Sequence, residues 1–481
     1  MDSSRHYYQN CYDRLKLVSF RQNILQNMKV KTCYLQLVGD ETMNAPSGEA
    51  PFWMAGNFAP VTEVVDTTNL TVTGEIPREL NGRYLRNGPN PRAHPSADWF
   101  LGEGMIHGVE ISDGKANWYR NRYVETPLLD VDVITNENRL VPGNSLANTH
   151  IVGHAGKILA LQETQVPIEM TKSLDTVGPY SFDGKLERNM TAHPKICPIT
   201  GEMLFFGYGI MPPFLTYHRV SSAGELVQSE IIDVKAATMV HDFAITENHV
   251  LFLDLPMLWD LEKLGKPGIP ISYDESYGAR IGVMPRAGKS DDVRWFDIEP
   301  CYVYHTMNAF ERGSKIIFHA PRLVGYTSVG MKNPPVPKMH RWTIDLEAGT
   351  VNEEQFDDLS VDFPITSPRL VGQPHQHGYA AEFDTGGEPY ILGFHKYDMQ
   401  SGKRSSHHFQ DGRTGSEASF VPAANAIDED DGYLLSYVFD PAENASELVI
   451  LNAKEMADEP LARIHLPARV PTGFHGSWIA D

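Results

Sequence analysis

The chain has 481 residues, 41 Lys+Arg against 62 Asp+Glu, a formal net charge of −21 and 41% hydrophobic residues. No window holds the ~18 uninterrupted apolar residues of a membrane-spanning helix, and the acidic balance opposes a phosphate-binding surface, which needs an excess of Lys and Arg. Nucleic acid is thereby excluded as a partner, as is adhesion to anionic lipid by charge alone, so that any membrane contact would have to be apolar.

Residues 1–44 mix charge throughout and lack the roughly 7–15-residue apolar core of a secretory signal. A loosely ordered arm is expected there, or a true start nearer Met43, followed by a single domain over 45–481. From about Asn57 onward, short runs of β-branched and aromatic residues alternate with Gly, Asp and Asn turns, the pattern of strands and hairpins. HIVGHAGKILALQE (150–163), HPKICPITGEMLFFGYG (193–209), HDFAITENHVLFLDLP (241–256), HTMNAFERGSKIIFHAPR (305–322) and IDEDDGYLLSYVFD (427–440) each read as strand, polar turn, strand. Helical periodicity is scarce, with MLWDLEKLG (257–265) the best short helical piece, and the predicted class is all-β. Cys11, Cys33, Cys197 and Cys301 are widely spaced without a C-x-x-C, which fits reduced thiols in a cytosolic protein.

The hairpins recur. A point one strand before the turn picks out His193, His241, His305, Glu417 and His475, and five steps of about 56 residues cover the 282 from His193 to His475. Such a repeat of short hairpins is how a propeller blade looks in sequence, and about 420 residues hold seven or eight of them. Innermost strands of a propeller all face one axis, so residues distant in sequence converge. The four histidines lie 48, 64 and 170 residues apart, near one, one and three repeats. Buried polar groups must be satisfied, and four converging neutral imidazoles satisfy themselves best on one transition metal. Any one of the chain's 19 histidines taken alone is an ordinary core or surface residue; the shared register carries the inference.

Carboxylates occupy the remaining positions. The steps His305–Asp362, Asp362–Glu417 and Glu417–His475 are 57, 55 and 58 residues, whereas Glu163 stands only 30 before His193 and must come from a neighbouring strand. A carboxylate that accepts from the far nitrogen of a metal-bound imidazole fixes its tautomer and direction. Singly, each of these acids is a solvated surface charge.

ELNGRYLRNGPNP (79–91), WFLGEGMIHGVEISDGKANWYRNRYVET (99–126), the four histidine contexts and the terminal FHGSW together resemble the carotenoid cleavage oxygenases, the family that includes the lignostilbene dioxygenases, in its bacterial form. The resemblance runs from about Phe58 to Asp481. It implies a seven-bladed β-propeller with an apolar dome of loops and short helices over one face. It also implies that His193, His241, His305 and His475 bind a non-haem Fe(II), with Glu163, Asp362 and Glu417 orienting three of them. Asp362-Phe363-Pro364 departs from the family's usual Glu-Phe-Pro, which puts the Asp362 hydrogen bond in question.

Four neutral imidazoles leave the ion its full charge and up to two open positions, unlike the two-histidine, one-carboxylate triad. The implied reaction is O2-dependent scission of one conjugated C=C bond into two carbonyl products, with no general base. The substrate would be a lipophilic polyene or aromatic alkene. Candidate contacts are Tyr123, Trp259, Phe310 and Phe474, together with Phe206, Tyr208 and Phe420, each equally placed to be plain core. The segment 253–271 carries Leu, Met, Trp and Ile among prolines, and a patch there could touch a bilayer peripherally. Tyr123 resembles the phenol-binding tyrosine of stilbene-cleaving members, but residues 124–148 contain no lysine to complete that site. The balance favours carotenoids or apocarotenoids over phenylpropenoids. Rival readings are a metal site built on His375 and His377 and a non-catalytic propeller scaffold. No G-x-S-x-G or H-E-x-x-H motif supports a hydrolase.

Overall fold

Ala155 and Gly156 both have positive φ, 50° and 76°, as a two-residue type I′ turn requires. His150–His154 therefore pairs antiparallel with Lys157–Leu161, His154 opposite Lys157. Ile168–Met170 and Thr176–Pro179 extend the meander to four strands. Residues 195–232, 244–298 and 308–355 each form a further four-stranded antiparallel sheet. A ten-stranded sheet follows, in which Thr414–Gly415 pairs with both Ile391–Asp398 and Gly432–Asp440 and so joins two successive meanders.

The two ends of the unit Phe52–Asp481 are interlocked. Thr71–Gly74 pairs with Ala462–His465 at the edge of the ten-stranded sheet. The C-terminal strand Gly476–Ala480 pairs with Gly82–Pro89 in a five-stranded sheet otherwise built from residues 66–123. His475 thus reaches the first sheet of the chain although it is nearly its last residue. Gly473, just before it, has no room for a side chain, since a Cβ there would lie 2.1 Å from the buried Arg86 guanidinium. That guanidinium donates to the Pro471 carbonyl at 2.5 Å and holds the segment down.

The computed structural model describes residues 51–92, 98–130, 145–263, 269–325, 335–386, 388–456 and 459–481; the expected 1–44 arm lies outside them. Phe52–Asp481 is one compact unit. Apolar clusters fill the spaces between neighbouring sheets, the largest through Phe206, Phe243, Phe252, Phe318 and Trp342. The described residues are all-β with isolated 3-10 turns, and no helix among them is long and apolar enough to cross a membrane. Cys197 and Cys301 are free and buried.

Two local expectations change. Within MLWDLEKLG the described residues 257–263 form no α-helix: Met257–Trp259 is a strand paired with Ile271–Tyr273, Leu261–Lys263 is one 3-10 turn, and residues 264–265 lie outside the described residues. A helix this short is marginal without tertiary support, and the hairpin supplies backbone partners instead. IDEDDGYLLSYVFD holds one strand, not two. The Asp431 carboxylate accepts the Ile427 and Asp428 N–H groups and closes 427–431 into a loop. Gly432–Asp440 pairs with Ser419–Pro422 and Ala445–Asn452.

Candidate metal centre

His193, His241, His305 and His475 do not lie on strands, as their register implies; each stands one to three residues before one, the strands beginning at Lys195, Ala244, Asn308 and Gly476. This placement frees the rings from the pleat and lets them turn inward. Asp242 ties three of the segments together. Its carboxylate takes the Lys195 ammonium at 2.8 Å and accepts from the Thr306 N–H and hydroxyl at 2.8 and 2.9 Å. Thr191 adds a bond from its hydroxyl to the His241 carbonyl at 3.3 Å.

The rings converge. One ligand nitrogen from each of the four lies within 4.8 Å of the others. The His193 and His241 Nε2 atoms are 3.1 Å apart, as are those of His241 and His305. Imidazole nitrogens bound cis to a metal at ~2.0–2.1 Å stand about 3 Å apart. On the outer side, His305 Nδ1 is 2.9 Å from Asp362, His475 Nδ1 is 3.1 Å from Glu417, and His241 Nδ1 meets Glu163. The shorter Asp362 therefore makes its bond directly. Ionised carboxylates only accept, so the rings facing Glu163 and Glu417 carry their protons on Nδ1, as does His305 when Asp362 is ionised, and all three then aim Nε2 lone pairs at one point. Buried lone pairs converging without a donor are costly, and a cation satisfies them together.

The electrostatics differ from group to group. Burial, reinforced by the neighbouring imidazoles, holds His193 and His305 well below the usual range. Burial also opposes charge on His241, but the Glu163 carboxylate overrides it and raises that pKa. Burial pushes Glu163 and Glu417 upward, and the imidazoles beside them bring both below the ordinary value. Asp362 is different: burial raises it to about 7. Neutral imidazoles in this number suit zinc, copper, iron or nickel.

A cavity of about 790 Å³ opens onto the cluster, with His241, His305 and His475 in its wall. Trp259 and Phe474 line it as expected, and Tyr208 does too, its hydroxyl donating to Glu163. Phe310 does not; it is buried against His375 with ring centroids 5.4 Å apart. Phe206 and Phe420 are packed in core clusters. Tyr123 is also absent from the wall, its hydroxyl accepting from Asn90 at 2.6 Å. Aromatic residues are common in every strand, and their spacing does not tell wall from core. His375 and His377 do not share a strand face, because the strand begins at His377. Among the described residues they join no group of three ligands.

Several contributors have no signal in the repeat. Phe363 packs with its ring centroid 4.8 Å from His305, tilted, and 5.1 Å from His475, edge to face, at φ 50°, a strained value for a bulky residue. Its position next to Asp362 was the available clue. Asp242 adjoins His241 in the same way. His150 is a fifth imidazole beside the four, with ring centroids 5.3 Å from His475 and 5.9 Å from His193.

Residues 58–480 match the protein family described as retinal pigment epithelial membrane protein. A carotenoid cleavage oxygenase of Mycobacterium tuberculosis is 36% identical over 91% of this chain and 99% of its own length. A carotenoid 9,10(9',10')-cleavage dioxygenase of Crocus sativus is 33% identical over 89% of each chain. The crystal structure of a Pseudomonas brassicacearum lignostilbene dioxygenase superimposes with a TM-score of 0.82 at 29% identity, covering 90% of this chain and all of that one.

Proposed function

The chain belongs to this family of carotenoid oxygenases, a β-propeller family of oxidoreductases, and from that premise we propose that it is an Fe(II)-dependent dioxygenase cleaving one conjugated C=C bond of a carotenoid or apocarotenoid. The observation that carries this reading is the meeting of four imidazoles, three of them in the wall of a largely apolar cavity. His193, His241, His305 and His475 would hold the iron. Glu163, Asp362 and Glu417 would fix three of the rings by accepting their Nδ1 protons. A bound ferrous ion would supply the activation of O2. The protein would supply position and dryness: Phe363, Phe474 and Trp259 would hold an apolar chain against the imidazoles and keep water from it. One alkene and one O2 give two carbonyl products, so the step consumes no further reductant and needs no proton transfer by a side chain.

In the finer reading of the fold, the two meanders of the ten-stranded sheet are separate blades and the propeller has seven. The described residues of the 253–271 segment, 253–263 and 269–271, would with their neighbours form a dome through which a lipophilic substrate enters, with peripheral membrane contact there. The likeness to a lignostilbene dioxygenase favours a second reading, the same chemistry on a stilbenoid. The deciding experiment is anaerobic reconstitution with Fe(II), then incubation under 18O2 with parallel sets of apocarotenoids and hydroxystilbenes. Two labelled carbonyl products from the carotenoid set are expected. Products from the stilbene set alone would transfer the assignment, and none from either would end it.

A further inference from the structure

His193 differs from the other three histidines of the centre: no carboxylate stands behind its ring in the described structure. What lies beside it is His150, partly buried, at the start of the strand His150–His154. Its Nδ1 is 2.7 Å from the Ala192 carbonyl, one residue before His193. A carbonyl can only accept, so Nδ1 carries the proton. Nε2 is then the acceptor and takes the Ser477 hydroxyl at 3.2 Å, two residues after His475. The backbone repeats the connection, the His475 N–H donating to the Thr149 carbonyl at 3.0 Å. The other face is anchored by Asn87, whose amide donates to the Ala147 and His150 carbonyls at 2.7 and 3.0 Å. His150 itself offers no lone pair to the centre and is not among its converging ligands.

We propose that His150 is a positioning residue for the metal centre, a neutral imidazole strut that joins the His193 segment to the His475 segment. This rests on the four histidines binding a metal. The strut works through main chain rather than through the ligand ring: it fixes where His193 and His475 begin, and so the gap between their nitrogens. It also joins the second sheet of the chain to its last strand, where an error in ring closure would be felt first.

The two arms can be removed separately. In H150N the side-chain amide sits near the Nδ1 position and keeps the Ala192 bond; in H150Q it reaches the Nε2 position and keeps the Ser477 bond. H150A loses both, and S477A loses only the second. Apo protein of each variant is titrated anaerobically with Co(II), following the visible d–d bands, with melting curves as a check on folding. The wild type is expected to take one equivalent. H150A is expected to bind about ten- to a hundred-fold more weakly with altered bands, H150N and H150Q in between, and S477A like H150N. H150A with wild-type affinity and spectrum overturns the role. Should H150A not fold, wild-type binding by both H150N and H150Q overturns it equally. A wild type that takes up no cobalt fails in a different arm of the experiment and overturns the metal-centre reading itself, and this role with it.

Discussion

Two groups of buried histidines in this molecule make opposite use of the imidazole ring. At the hub, His241, His305 and His475 face carboxylates with Nδ1 and leave Nε2 free to converge. In the wall of the sheets, His319 receives the Arg341 Nε–H at 3.1 Å, and His375 receives the Asn308 amide at 3.1 Å. The Asn308 orientation is set by its oxygen, which accepts the Gly372 N–H at 2.8 Å. The His319 and His375 rings meet edge to face, centroids 5.2 Å apart. Burial lowers both, His375 to about 4 and His319 well below the usual range. Both groups lie largely out of water. The sign of the hydrogen-bond partner separates them: an acceptor behind the ring frees a lone pair for a metal, and a donor consumes one.

That contrast breaks most sharply under truncation. His305→Ala should abolish stoichiometric metal uptake and lower cleavage at least about 10³-fold, whereas His375→Ala should leave metal content unchanged and cost about 0.5–3 kcal/mol of stability through the lost packing of its buried ring on Phe310 and His319. Metal analysis and urea melts of the two variants check this, and equal metal loss in both would erase the distinction. Next in size, Glu417→Ala should weaken metal binding about ten- to a hundred-fold, read by Co(II) competition, because His475 loses the acceptor that fixes its tautomer. Asp242→Asn should act on both scales. It removes the partner of the buried end of Lys195 and loosens the Thr306 segment, and a melting-point drop with a several-fold weaker metal Kd is expected.

The smallest effect comes from a histidine–carboxylate pair that converges on nothing. Glu311 lies beside His249 at 2.9 Å and also accepts from Thr246 and Asn248. Burial alone would raise this carboxyl, but those hydrogen bonds lower it from about 4.5 to about 2. A depressed carboxyl contributes stability above its unfolded value and loses it as pH falls towards the folded one. The stability gap between wild type and Glu311→Gln should therefore shrink as pH drops from about 4.5 to about 2, with metal affinity untouched throughout. A gap that is flat in pH would remove the pair from the account of acid stability.

The hub was legible because its signal is periodic. Four histidines and two acids spaced by near-multiples of one hairpin repeat report equivalent positions in equivalent sheets, and resemblance added Glu163, which breaks the spacing. The hairpins were legible wherever turn residues stated their own geometry, as at Ala155–Gly156. MLWDLEKLG and IDEDDGYLLSYVFD misled because short apolar or acidic runs carry no period long enough to choose between pairing partners. Phe310 and Tyr123 misled for another reason. Both have the right composition for a cavity wall, but which side of a strand faces a cavity depends on the sheet packed against it.

Residue type, interval and turn chemistry within the chain itself determined the all-β class, the repeat and the four imidazoles that share a register. Only the tertiary structure decided that a direct bond survives the shorter Asp362, that Asp242 braces three segments, and that His150 stands where no carboxylate does. These are relations between segments tens to hundreds of residues apart, set by ring closure and by the sub-ångström fit of buried donors to acceptors. Local sequence carries no record of such distances, because they arise only when separate sheets are pressed around one axis.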